Sequence, residues 1–149
     1  NMDQQKELRK TLAEESIISR NLYLISFFVT LTTMTMTIVE FFSRGQFFPV
    51  QMNIFYLGVL LIYSLHKEVI RWVGLKKIEH QGEYFVYAWV ILTIILYIIN
   101  FVSKGYYSTF AKGGLSTDLR DTAILTLEVL AVFIFTRCLK IITKKVDLK

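Results

Sequence analysis

The chain has 149 residues, 54% of them hydrophobic and 15% aromatic, with one proline, one cysteine and a formal charge of +5. An ordinary soluble domain is about 45–50% apolar; here the charged 19% is gathered into short islands between long apolar runs, the distribution lipid imposes because it cannot solvate charge. A single cysteine excludes an internal disulfide framework, and basic residues that flank apolar runs, with no basic and aromatic surface, point away from nucleic acid and towards anionic lipid headgroups.

Residues 3–20 mix both signs of charge and contain no short apolar core with a small-residue cleavage site, so they do not read as a secretory signal. Leu8, Leu12 and Ile17 recur at helical spacing among strong helix formers. This predicts an amphipathic helix at the cytoplasmic face, or one running straight into the first span. Spans follow at about 22–42, 50–66, 84–103 and 121–142, close to the ~20 residues that cross a hydrocarbon core of roughly 30 Å. In the first, Thr30, Thr33 and Thr37 form a stripe continued by Glu40 and Arg44. Such hydroxyls bond to their own helix or to a neighbour and mark an inward face. Pairing of Glu40 with Arg44, one turn on, would account for that glutamate.

Pro49 suits the first turn of the second span, where Asn53, Tyr56, Tyr63 and Lys67 share a face. An interfacial segment with Trp72, Lys76 and Lys77 follows. In the third span Thr93, Tyr97, Asn100 and Lys104 make a further stripe. The loop 103–117 carries Tyr106, Tyr107 and Phe110, suited to an outer interface. Its Lys112-Gly113-Gly114 has neither the glycine spacing nor the preceding strand of a phosphate loop. Asp118 is read as the N-cap of the last helix, with Asp121 three residues on.

Charge sets the orientation. Lys6, Arg9, Lys10 and Arg20 in the arm, Lys67, Arg71, Lys76 and Lys77 in the second connection, and Arg137, Lys140, Lys144, Lys145 and Lys149 in the tail lie on one side. Only Arg44, Lys104, Lys112 and Arg120 lie on the other. The positive-inside rule then places both termini in the cytoplasm of a multi-pass protein of the cell membrane.

The last span, within Thr122-Ala-Ile-Leu-Thr-Leu-Glu128-Val-Leu-Ala-Val-Phe-Ile-Phe-Thr-Arg-Cys138, carries one carboxyl near its middle. An ionised carboxylate at that depth costs about 2.5–3.5 kcal/mol on insertion scales, so Glu128 needs a partner, water or a proton. Counting depth places Thr33, Thr93 and Glu128 near the midplane, with Glu40, Asn53, Tyr56, Tyr97, Asn100 and Asp121 towards the outer side. If the stripes face one another, the outer half of the bundle is a polar funnel ending at Glu128. A hydrogen-bonded packing pin or a subunit contact accounts for Glu128 equally well.

Other constellations are weaker. His66 and His80 with Glu68, Glu79 and Glu83 lack a metal-ligand spacing, His66 stands only at the very end of a span and His80 outside them, so haem ligation within the bundle is not expected, and Cys138 has no histidine partner. No serine, histidine and acid set is present, so an enzyme is disfavoured and no cofactor is implied. The expected fold is all-α, an integral membrane four-transmembrane-helix bundle forming a single domain over 1–149 with an N-terminal cytoplasmic amphipathic helix. The expected function is channel- or transporter-like, with a cation- or proton-binding carboxylate in the bundle, working as a homo-oligomer or in a larger membrane complex. Site candidates are Glu128, Thr33, Tyr56, Asn53, Tyr97, Asn100, Glu40 and Asp121. A non-catalytic subunit or scaffold is the alternative, and a membrane-embedded enzyme the third reading.

Overall fold

The computed structural model describes residues 2–47, 52–72 and 83–146. Pro49, the interfacial residues 73–77, Glu79, His80 and Lys149 lie outside the described residues. The described residues form four α-helices, α1 (Met2–Ser43), α2 (Met52–Trp72), α3 (Glu83–Val102) and α4 (Asp118–Val146), with one 3-10 turn at Tyr106–Ser108 and no strand. All four helices are long and apolar enough to cross a membrane. No proline or glycine interrupts Met2–Ser43, so the charged arm runs without a break into the first apolar stretch as one helix of 42 residues.

Interhelical contacts fix the directions. Tyr23 meets Tyr63 and Thr30 meets Tyr56 between α1 and α2; Thr93 meets Thr126 and Tyr97 meets Leu119 between α3 and α4. Both pairs are antiparallel hairpins. Tyr23 also stacks on Phe85, so α1 and α3 run in the same sense. They end, and α2 and α4 begin, at what is here the distal end; Met2 and the C-terminal end of α4 lie at the proximal end.

The hairpins resemble each other where their first helices stop. Glu40-Phe41-Phe42-Ser43-Arg44-Gly45 closes α1 and Asn100-Phe101-Val102-Ser103-Lys104-Gly105 closes α3. In each, a basic residue takes a left-handed φ, 52° at Arg44 and 54° at Lys104, followed by glycine at 76° and 78°. The Gly45 N–H reaches the Glu40 carbonyl at 3.2 Å and the Gly105 N–H reaches that of Asn100 at 2.8 Å, while Arg44 and Lys104 bond back to Phe41 and Phe101. These two Schellman caps satisfy carbonyls that the helix ends would otherwise leave bare.

The inward faces are set by helical spacing. Thr30, Thr33, Thr37 and Phe41 of α1 are buried, as the threonine stripe predicts, against Tyr56, Leu60 and Tyr63 of α2, Trp89 and Leu96 of α3, and Leu125, Thr126 and Val129 of α4. Outward, Phe28, Phe55, Ile62, Ile91, Phe101 and Leu127 are all exposed. Apolar side chains thus girdle the bundle, the surface expected of helices whose solvent is lipid. At the distal end Arg44 latches the loop 103–117 onto α1. Its Nε donates to the Thr109 carbonyl at 2.9 Å and its Nη2 to the Thr109 hydroxyl at 2.7 Å. Its guanidinium lies 4.2 Å from the centre of the Tyr106 ring, and its own carbonyl accepts from the Ala111 N–H.

Candidate functional site

Each helix contributes a polar side chain near its distal end: Glu40 from α1, Asn53 from α2, Asn100 from α3 and Asp118 from α4. The sequence had set Arg44 against Glu40, and the structure does otherwise. Because Arg44 leaves the helix in the left-handed conformation, its guanidinium is carried to the loop and its donors go to Thr109 and Phe110. Glu40 faces Asp118 instead, and the two carboxyls are close enough to interact.

Asp118 also departs from its expected role. It is the first residue of α4 and not its cap; Thr117 stands before it, and the Thr117 hydroxyl donates to Asp121 Oδ2 at 3.0 Å. With the capping position filled, the Asp118 side chain is free to turn inward, where the residue is 4% exposed and its Oδ2 is buried without a donor. The group opposite is another carboxyl, which can donate only when it carries a proton. Ser116 supports Asp118 from the loop, its Oγ accepting the Asp118 N–H at 3.2 Å. Two further buried acceptors, Asn53 Oδ1 and Asn100 Oδ1, lack a donor at the same end of the bundle, although the Asn100 amide nitrogen donates to Ser108 at 2.8 Å.

Two carboxylates in contact repel unless a proton or a cation lies between them. Among the described residues no three His, Cys, Asp or Glu side chains group closely enough to hold a metal. Two carboxyls are hard oxygen donors that suit a proton or a hard cation better than a softer transition metal.

The other candidates fall elsewhere. Tyr56 is wholly buried below this level; its hydroxyl accepts the Trp89 indole N–H at 2.7 Å and lies 3.2 Å from the Thr30 hydroxyl. Thr33 is buried but donates to its own helix, to the Val29 carbonyl at 2.8 Å. Tyr97 is exposed, with its hydroxyl 3.5 Å from the Leu119 carbonyl, and Asp121 is exposed beside Arg120.

Glu128 is a correction. It is exposed on the outside of α4. The buried face of that helix runs through Thr122, Leu125, Thr126 and Val129, and at 100° per residue Glu128 stands about a third of a turn away from it. The expected funnel therefore does not reach it. In its place Thr93 and Thr126 meet at mid-depth, 2.7 Å apart.

The proximal charges are dispersed into pairs. His66 lies 3.9 Å from Glu15, Glu68 binds Arg71, and Arg137 pairs with Glu83.

Asp118 and Trp89 were not singled out from sequence. Asp118 looked like a cap, and Trp89 lies in an unbroken apolar run; an indole on the threonine-facing side of that run was the available signal. No family model, curated protein or solved structure matches this chain.

Proposed function

We propose that the chain is a small multi-pass protein of the cell membrane, channel- or transporter-like, with both termini in the cytoplasm, in which Glu40 and Asp118 bind a proton or a cation near the outer face. The observation that carries this reading is the contact between the two carboxyls, with Asp118 Oδ2 buried and without a donor. Below the pair, Tyr56, Leu60, Trp89, Leu125 and Val129 pack into one hydrophobic cluster among the described residues, which supports a reading in which passage involves an oligomer or a partner.

Reconstitution tests it. Vesicles carrying the protein should dissipate an imposed proton or alkali-cation gradient, and Glu40→Gln or Asp118→Asn should abolish that flux. Wild-type flux in both variants would remove the pair from the mechanism. Topology has a separate test: a cysteine introduced at Ser108 should be labelled from outside the cell and one at Lys76 should not.

A second reading, a non-catalytic subunit or scaffold of a membrane complex, is favoured by Glu128, whose carboxyl points away from its own bundle. Vesicles that show no flux under any gradient would support it.

A further inference from the structure

Between the proximal halves of α2 and α4 the surface opens into a recess of about 270 Å³, walled by Leu61 and Leu65 on one side and by Ala131 and Phe135 on the other. Its α4 wall runs from Ala131 to Leu139, eight residues or roughly 12 Å along the axis. That depth is close to one leaflet's share, about 15 Å, of a hydrocarbon core of roughly 30 Å.

The proximal end of the recess is polar. Glu68 closes it from α2 and is 5% exposed, but its carboxylate is already engaged, with Oε2 accepting from Arg71 Nη1 at 2.7 Å. The Arg71 Nε is buried and has no acceptor among the described residues. On the other wall Lys140 stands one turn beyond Thr136, and it pairs with no group among the described residues. Arg137, beside it in sequence, is held by Glu83 of α3. In sequence the stretches 67–72 and 136–146, which carry the two helices past the recess, hold six Lys or Arg and one carboxyl, Glu68. The walls are thus apolar over about the depth of an acyl chain and basic where its head would lie.

This pairing of chain depth with basic charge identifies the occupant. A single protein side chain that filled the apolar part would bring no acceptor to Arg71 at the same time, whereas a phospholipid carries both on one molecule. Its phosphate oxygens can accept from Nε and face the ammonium of Lys140. A zwitterionic head would add a cation to an end that already has an excess, so a head of net negative charge is selected.

We propose that the recess between α2 and α4 binds one anionic phospholipid of the proximal leaflet, its acyl chain between Leu65 and Phe135 and its phosphate on Arg71 and Lys140. The site rests on the membrane reading above, but on neither the Glu40–Asp118 pair nor the side to which the termini face.

Native mass spectrometry of the whole chain released from detergent should show one phosphatidylglycerol retained in preference to phosphatidylcholine with the same acyl chains. Lys140→Gln should lower that preference about fivefold, the worth of one basic residue beside an anionic lipid. Ala131→Phe fills the apolar wall and leaves every cation in place, and it should abolish retention; Leu65→Trp repeats the test from the α2 wall. Ile94→Phe, on the exposed face of α3, should change nothing, and inorganic phosphate should not displace the lipid. Equal retention of the two lipids would overturn the proposal. A preference untouched by both Ala131→Phe and Leu65→Trp would be ordinary attraction to a basic surface, and displacement by inorganic phosphate an anion contact without the recess; either result would sink it, as would a second copy of the chain held in place of lipid. These measurements read binding and not flux, and Glu40→Gln should leave them unchanged, so their failure and that of the Glu40–Asp118 site are told apart.

Discussion

The carboxyl of Glu40, from the last turn of α1, lies against that of Asp118, from the first residue of α4. Among the described residues neither nearby arginine pairs with them: Arg44 is spent on the loop and Arg120 lies beside Asp121. This is an arrangement that costs stability unless something occupies it, which is why it carries the functional reading.

Glu40→Gln should therefore stabilise the fold while removing the proton or cation response. An amide at position 40 offers Asp118 Oδ2 the donor it lacks, worth about 1 kcal/mol. Thermal unfolding in mild detergent should move to higher temperature for this variant; an unchanged or lowered midpoint would mean that the two carboxyls do not repel.

Tyr56→Phe should be costly in the opposite sense. The tyrosine hydroxyl is the acceptor for the Trp89 indole, and Trp89 is 0% exposed. Its loss leaves a buried N–H without a partner, about 1–3 kcal/mol. Chemical unfolding followed by tryptophan emission would measure it, with Trp89 itself as the reporter.

Arg44→Lys should release the loop 103–117 without unfolding the helices. An ammonium cannot span the Thr109 carbonyl and hydroxyl as the guanidinium fork does. Faster hydrogen exchange at the Ala111 amide, whose bond to the Arg44 carbonyl holds the loop from the other side, is the expected readout, with α2 and α3 unaffected.

Thr37→Val and Thr93→Val should differ although both threonines lie in polar stripes. Thr37 donates within α1, to the Thr33 carbonyl at 2.9 Å, so replacing it costs within about 0.5 kcal/mol. Thr93 bonds across to Thr126, and its removal should cost about 0.6 kcal/mol or more, the usual worth of an interhelical pair in lipid. Equal effects would contradict the assignment.

The helices and their ends were legible because apolar length and polar islands are one-dimensional signals. The inward threonines of α1 were legible because in an otherwise apolar helix they alone mark a direction. Rotation was harder to read in α4. Its apolar residues lie on all sides, and although Thr122 and Thr126 mark the inward face, Glu128 was placed inward by the assumption that carboxyls avoid lipid. Asp118 was hidden for another reason: its position fits a cap, and only the tertiary arrangement of Thr117 and Glu40 reveals that it does something else. The Arg44 latch depends on a backbone change at the end of the helix, which side-chain spacing along an ideal helix does not register.

The buried threonines of α1 have a mechanical consequence. Thr33 and Thr37 are buried and keep their hydroxyl bonds within their own helix, so their hydroxyls do not tie the middle of α1 to its neighbours. Thr30, beside Tyr56, is its polar tie at that depth. The polar ties of α1 to the rest of the bundle therefore gather at Thr30 and at its distal end, where Arg44 holds the loop. Glu40 stands at that same end.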